Sequence, residues 1–332
     1  MNDILENFPR VSLCHQPTPI EEMRQLTMHM DGPNLWVKRD DCTGLATGGN
    51  KTRKLEFLMA EAVEMEADCV VTQGAVQSNH VRQTAAAACR LGMKPYALLE
   101  RRVTGKPKEY DETGNVFFDQ LFGTEIEFRD GGLDMNAEAL ALTDRLRAEG
   151  KNPYFIPGGG SNAVGALGYV SCAQEILAQI QAQKIQLQAI VHATGSTGTQ
   201  AGLVAGLHAL GSTLPVIGIS VRQPQEKQIE AVWQLAAKTA ALLTDRPLEK
   251  EKIIVFDGYV GSGYGVPTPG GIAATKLLAS KEGLLLDLVY SAKGMDGMLD
   301  LIGKGHFSAK GDILFIHTGG AASLFAYQDS LV

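Results

Sequence analysis

The sequence predicts an α/β fold built on two open, mostly parallel sheets. Three observations carry this expectation. Short apolar runs alternate with amphipathic stretches along nearly the whole chain, as strands and helices do in parallel sheets with covered faces. Glycine-rich loops follow several of those runs, TGSTGTQ after IVHA and HTGG after ILFI among them, and open parallel sheets bind ligands at the carboxyl ends of their strands. Finally, 332 residues exceed what one open sheet usually needs, so two such domains are expected.

The order of elements follows from periodicity and breakers. Residues 1–34 carry four prolines and predict an extended arm with one short helix, Ile20 to His29. Leu35 to Arg39 is a strand and Asn50 to Met65 a helix with Leu55, Leu58, Met59 and Val63 on one face. Cys69 to Thr72 is a buried strand. The loop QGAVQSNH then opens the helix Val81 to Leu91. Pro95 to Leu99 is a strand, and the polar residues 101–114 predict an exposed excursion. A helix (Val116 to Phe122), a strand (Glu125 to Phe128), a helix (Met135 to Glu149) and a strand (Tyr154 to Ile156) lead into PGGGSN and the helix Val164 to Gln181. The second half repeats the alternation: strand 189–193, helix 201–210, strand 215–221, helix 226–243 and strand 253–256. The loop GYVGSGYGVPTPGG precedes helix 272–280, then a short strand or extended segment from Leu284 to Tyr290, helix 295–302 and strand 313–317.

Composition narrows the function classes. Hydrophobic residues make up 45% and charged residues 20%, as in an ordinary globular protein. The formal charge of −7 leaves no basic surplus for nucleic acid or anionic membranes, while a small anionic substrate needs only a local positive site. No apolar run is long enough to span a bilayer. The segment MNDILENFPR does not have the form of a signal peptide. Five widely spaced cysteines without a CxxC disfavour disulfides and zinc and fit a reducing cytoplasm. Cys42 is near Lys51 in sequence and could line the same pocket, though packing is the plainer role.

Four stretches could carry chemistry. In TGLATGGNKTRKLE, Gly48 and Gly49 allow a tight turn, and Asn50 and Lys51 then sit at a loop-to-helix junction where free N–H groups gather. A lysine screened from water there has a lowered pKa and is a better nucleophile toward a carbonyl. Alone, Lys51 would be one more surface lysine beside Arg53 and Lys54. The second stretch, Thr194 to Thr199 (Gly195, Ser196, Thr197 and Gly198 between), follows a buried strand and opens a helix, as a single-phosphate cup does. It is neither a Walker loop nor GxGxxG. In the third, Ser78, Asn79 and His80 stand at another helix start. There N–H groups suit a carboxylate and Asn79 can donate to an oxyanion, although Ser78 or Asn79 could simply cap the helix. Tyr264 and Tyr290 could donate protons or hydrogen bonds, and Thr318 could meet a neutral ring nitrogen. A lysine, a phosphate cup and polar groups after several strands suit pyridoxal phosphate.

The motifs GGNKTRKLEF, TQGAVQSNHVRQTAA, ATGSTGTQAG, GYGVPT and FIHTGG resemble those of one family. It comprises 1-aminocyclopropane-1-carboxylate deaminase, D-cysteine desulfhydrase and L-cysteate sulfo-lyase, within the tryptophan-synthase-β-like (fold type II) pyridoxal enzymes. The resemblance covers most of the chain in the family's order. It implies that Lys51 bonds the cofactor aldehyde and later shuttles the substrate α-proton, and that Asn79 holds the phenolate oxygen. Thr194 to Thr199 would bind the phosphate, with Asn50 beside them. Ser78, Asn79 and His80 would receive the substrate carboxylate through side chains and loop N–H groups, Tyr264 and Tyr290 would face the substrate, and Thr318 would meet the pyridine nitrogen. It also implies a smaller domain, residues 52–162, inserted in a larger one (1–51 plus 163–332), and a homodimer.

Two departures separate this chain from the cyclopropane deaminase: Ser291 where that enzyme usually has Glu, and Thr318 where it usually has Leu. Both point to carbon–sulfur lyases. The segments FPRVSLCHQPTPIE and WVKRDDCTGLATGGNKTRKLEFLMAEA look most like L-cysteate sulfo-lyase (releasing pyruvate, sulfite and ammonia), with D-cysteine desulfhydrase the alternative. A pyridoxal-binding sensor or carrier without turnover is the non-enzyme reading. A nicotinamide oxidoreductase is disfavoured by the missing fingerprint.

Overall fold

The computed structural model describes residues 3–331. Its larger sheet has six strands in the order β1 (Ile20–Glu22), β2 (Asn34–Lys38), β10 (Asp312–Ile316), β7 (Leu187–Thr194), β8 (Val216–Ser220) and β9 (Ile254–Phe256). Every pair is parallel except β1 on β2. A four-stranded parallel sheet has the order β5 (Glu125–Asp130), β4 (Lys94–Arg101), β3 (Cys69–Ala75) and β6 (Pro153–Ile156). The predicted pair of open, mostly parallel sheets is therefore present, and the small sheet lies between β2 and β7 in chain order.

Helices connect the strands: α1 (Arg24–Met30), α2 (Lys51–Glu64), α3 (Asn79–Arg90), α4 (Asn115–Leu121), α5 (Met135–Ala148), α6 (Ala163–Gln183), α7 (Gly198–Ala209), α8 (Gln225–Ala240), α9 (Pro269–Glu282) and α10 (Ser291–Gly303). Successive side chains of β10 serve opposite faces: Ile313 and Phe315 pack with Leu35, Val37 and Val191, whereas Leu314 and Ile316 pack with Ile190 and Leu203. Both faces are thus buried, which is why the central strands read as continuous apolar runs. No helix among the described residues is long and apolar enough to cross a membrane.

Four expectations need correction. Ile20 to His29 is not one helix: Ile20 to Glu22 pair antiparallel with β2, Ile20 inward and the two glutamates outward, and α1 starts at Arg24. The strand CVVT continues through Gln73, Gly74 and Ala75, which stay paired with Leu98, Leu99 and Glu100. Residues 284–290 form no strand, because the Asp287 carboxylate takes the N–H groups of Val289, Tyr290 and Ser291 at 2.9, 2.7 and 3.1 Å. Residues 101–114 are not simply exposed. Tyr110 is buried against Tyr327, their hydroxyls 3.0 Å apart, and Arg102 faces the central cavity.

A buried ionic cluster fastens α2 to α6 and to the end of β2. Arg53 grips Asp40 with two bonds of 2.9 Å and reaches Glu175 at 3.0 and 3.2 Å. Lys38 pairs with Glu175, and Thr18 and Tyr169 donate to Asp40 at 2.8 and 2.6 Å. Gly168 makes this packing possible: a Cβ there would lie 2.3 Å from the Arg53 carbonyl oxygen.

Candidate active site

The carboxyl ends of β3 and β7 face a cavity of about 340 Å³ between the two sheets. Lys51 enters it from the first turn of α2. The loop before it needs glycine. Gly48 has φ +73°, and a Cβ on it would fall 1.9 Å from the Asp41 carbonyl oxygen. Arg82 clamps this loop by donating to the carbonyl oxygens of Ala46 and Gly48 at 2.9 and 3.0 Å. Asn50 ties it across the cavity, its N–H to the Thr318 carbonyl and its amide to Thr199 Oγ1, both 3.0 Å.

The Lys51 amine donates to Ser196 Oγ at 3.2 Å and to the Gly159 carbonyl at 3.3 Å. Burial pulls its pKa down to about 8. Lys54, one turn on, shares the Gly159 oxygen at 3.1 Å. Burial and the Lys51 charge push Lys54 well below the usual lysine range. Arg53 and Lys54 are both fully buried and Lys51 is half-buried with its side chain in the cavity lining, so Lys51 is not one more surface lysine. Lys54 stands behind the cavity lining, beside Gly198, and the sequence reading gave it no role; its three-residue spacing from Lys51, which places both on one helix face, was the available signal.

The loop after β7 forms the cup. Thr197 adopts φ +72° before α7 and its own side chain does not cap that helix, leaving the first-turn N–H groups beyond Gly198 for an anion. Ser196, Thr197 and Thr199 line the cavity with Gly195 and Thr194. Thr194 contributes less than expected, because its hydroxyl accepts from Gln228 at 2.9 Å behind the cup. Gly198 lies outside the lining; a Cβ there would come 2.9 Å from both Lys54 Nζ and Ser161 Oγ. Ser161, unanticipated apart from the PGGGSN loop that carries it, donates to Ser196 Oγ at 3.1 Å and accepts from the Gly198 N–H at 3.3 Å. A free helix start, two hydroxyls and two buried amines form a donor set that fits a phosphate ester with an aldehyde nearby.

Ser78 caps α3 by accepting from the Val81 N–H at 3.3 Å, so the capping alternative holds for it. Its own proton stays available to the cavity. Asn115, unforeseen in the sequence, donates to Asn79 Oδ1 at 2.9 Å and is itself fixed by Gln77. That bond turns the Asn79 amide NH₂ outward as a donor. Of the two routes the resemblance allows this stretch, side chain and loop N–H, His80 keeps one. Thr72 Oγ1 gives its proton to the Ile156 carbonyl at 2.9 Å, so at 2.8 Å it must accept from His80 Nε2. Nδ1 is then a bare acceptor, and it has no partner among the described residues. Burial and the two lysines hold the ring neutral. The imidazole therefore cannot donate to a carboxylate; only the backbone N–H of His80 can.

Tyr264 and Tyr290 meet edge to face with centroids 5.7 Å apart and their hydroxyls hydrogen-bonded. Burial keeps both phenols protonated, Tyr290 well above the usual range. Thr318 completes the wall; Gly319 after it packs so closely that a Cβ would lie 2.8 Å from Gly49 Cα. Ser291, the other residue used to separate the relatives, is buried outside this lining and bonded to Asp287 Oδ2 at 2.7 Å. Cys42 is exposed and also outside it. No carboxylate lines the cavity among the described residues.

A family model described as pyridoxal-phosphate dependent enzyme matches residues 11–319. The chain belongs to this family. The enzyme is 46% identical over 327 residues to a D-cysteine desulfhydrase of Klebsiella pneumoniae and 45% identical to one of Salmonella newport, covering 98% of each chain in both cases. The crystal structure of an ACC deaminase homologue superposes with a TM-score of 0.91 at 35% identity, covering 100% of this chain and 99% of the other. A fungal L-serine ammonia-lyase from Rhizomucor miehei shares the fold at a TM-score of 0.68 and 17% identity, covering 97% of this chain and 98% of that one. These relatives identify the deaminase and desulfhydrase branch of the fold type II pyridoxal enzymes.

The lowered lysine pKa has a measurable consequence. Only the neutral amine attacks an aldehyde, and with the pKa near 8 that form becomes dominant as the pH rises through 8. The rate at which cofactor-free enzyme takes up pyridoxal phosphate should therefore climb between about pH 7 and 9 and level off above. Stopped-flow absorbance reads it; a rate still climbing tenfold per pH unit above pH 9 would show an ordinary exposed lysine.

Proposed function

We propose that the enzyme is a β-eliminating carbon–sulfur lyase of small amino acids, with D-cysteine as its first candidate substrate and pyruvate, sulfide and ammonia as products. The observation that carries this reading is the absence of any carboxylate in the cavity lining. Thr318 would face the cofactor's ring nitrogen as a hydroxyl, and a hydroxyl does not hold that nitrogen protonated. Such a site suits loss of a good leaving group better than opening of a carbon ring. The relatives named D-cysteine desulfhydrase favour sulfide over the sulfite suggested by the likeness of the opening segments. The sulfo-lyase reading keeps one point in its favour, the presence of Arg102 and Arg222 in the cavity lining.

Bound pyridoxal phosphate supplies an electron sink that makes the substrate α-proton removable. The chain does the rest. Lys54, Ser196, Thr199 and the start of α7 hold the phosphate, and Asn79 donates to the phenolate oxygen. The N–H groups of Asn79 and His80, with the Ser78 hydroxyl, receive the substrate carboxylate. Lys51 takes the proton from Cα, and the Tyr264–Tyr290 pair donates to the departing sulfur. We also read the enzyme as a cytoplasmic homodimer with an inserted smaller domain at residues 52–162; light scattering tests the dimer.

The test is parallel incubation with D-cysteine, L-cysteate and 1-aminocyclopropane-1-carboxylate. Pyruvate with sulfide from D-cysteine supports the reading. Ammonia from the cyclopropane substrate alone would overturn it, and bound cofactor without any product would return the sensor alternative. Exchanging Ser291 for Glu is no clean probe of the choice, because it would press a second carboxylate against buried Asp287.

A further inference from the structure

Tyr264 sits on the loop 257–268 between β9 and α9, which carries four glycines. Glycine-rich backbone has the most freedom to lose on ordering, so the place of Tyr264 depends on what fastens this loop. It is held on two sides. Lys293, in the first turn of α10, donates to the carbonyl oxygens of Val260 and Gly263 at 2.7 and 3.0 Å. Tyr327, in the last helical segment Ala321–Ser330, donates at 2.9 Å to the carbonyl of Gly265, the residue after Tyr264.

The Tyr327 hydroxyl is the middle of a relay. Its proton goes to Gly265, so in its 3.0 Å contact with Tyr110 it accepts and Tyr110 donates. The two buried rings meet edge to face with centroids 5.7 Å apart, and the Lys106 ammonium lies 4.4 Å from the Tyr327 centroid. Tyr110 and Lys106 belong to the stretch that follows β4 of the smaller sheet, whereas loop 257–268 and Ala321–Ser330 follow β9 and β10 of the larger one. The two parts touch closely: Gly265 has φ +77°, and a Cβ on it would fall 2.6 Å from Val103 Cγ2. Arg102, from the same stretch, lies over the Tyr264 ring, 5.4 Å from its centroid. Tyr264 is thus held by residues of both sheets at once.

We propose that Tyr327 is a positioning residue: with Tyr110 it latches the stretch after β4 onto the loop of Tyr264, and so sets the Tyr264 hydroxyl against Tyr290 for proton delivery to the leaving group. This rests on the reading above that the Tyr264–Tyr290 pair serves the departing sulfur. As the Cβ–S bond breaks, its electron pair stays on sulfur. A phenol proton then gives hydrogen sulfide, and the phenol regains a proton from water. A chloride on the same carbon departs without a proton, so its loss does not need the latch.

The test compares wild-type holoenzyme with Tyr327→Phe and Tyr110→Phe, and repeats Tyr327→Phe in a Tyr264→Phe background. Pyruvate release is measured with D-cysteine and with β-chloro-D-alanine, and mass spectrometry follows amide hydrogen exchange in residues 257–268. One lost hydrogen bond corresponds to about 3- to 10-fold. Tyr327→Phe should lower kcat for D-cysteine by about that factor, leave its KM and the β-chloro-D-alanine rate near wild type, and speed exchange in the loop. In the Tyr264→Phe background the same change should cost nothing further, because the latch acts through that residue. Tyr110→Phe keeps the bond from Tyr327 to Gly265 and should show the same pattern more weakly. Equal losses on both substrates, an undiminished loss in the Tyr264→Phe background, or unchanged loop exchange in Tyr327→Phe would each overturn the proposal. If wild-type enzyme releases pyruvate from neither substrate, the elimination reading fails, and loop exchange alone then decides the latch.

Discussion

Lys51→Ala protein should emerge from purification without the visible absorbance of bound cofactor and should release pyruvate at least about 10³-fold more slowly than wild type. Positioned proton transfer alone contributes roughly 10²–10⁴-fold, and here the same side chain also anchors the cofactor. Among the described residues Lys54 is the nearby substitute, sharing the Gly159 oxygen. Lys54, however, is packed against Gly198 at the base of the cup and stands outside the cavity lining. Lys54→Ala should instead weaken phosphate binding and leave covalent attachment intact. Borohydride reduction followed by peptide mapping reads both variants. Label recovered on residue 54 in wild-type enzyme would show that the wrong lysine had been chosen.

Asp40→Asn should destabilise the fold by about 3–5 kcal/mol, the usual cost of leaving one partner of a buried ion pair uncompensated. Asp40 and Arg53 are fully buried, and Glu175 and Lys38 share the cluster. Burial alone would raise the Asp40 pKa, but Arg53 beside it wins and holds the carboxyl below its usual value. A depressed folded-state pKa gives stability that is present above the unfolded value near 3.9 and is lost as the pH falls through the folded one. Urea unfolding of wild type should therefore weaken steeply in acid. The variant should start lower and show a flatter acid limb. Equal midpoints at pH 7 would mean that α2 is held to α6 by apolar packing and not by this cluster. The consequence reaches the active site, because Arg53 and Lys51 share the first turn of α2.

Most of the candidate site was legible in the sequence because its parts are local. A glycine turn before a lysine, a hydroxyl-rich loop after a buried strand and a polar helix start each declare themselves within about ten residues. Lys51, Ser78, Asn79, Tyr264, Tyr290, Thr318 and all of the cup except Gly198 do line one cavity. The parts that needed the fold act across distance. Asn115 aims Asn79 from 36 residues away, Ser161 meets Ser196 from 35, and Arg102 reaches the cavity from a polar stretch that looks like exposed loop.

The sequence by itself determined the α/β class and the cofactor and singled out a candidate lysine, since periodicity, turn chemistry and motifs are properties of neighbours along the chain. Only the tertiary structure decided protonation and direction. Whether a lysine is neutral, which nitrogen of His80 bears hydrogen and which way the Asn79 amide points depend on burial and on partners brought from other elements. Desolvation and hydrogen-bond geometry belong to the packed molecule, and no local run of residues encodes them.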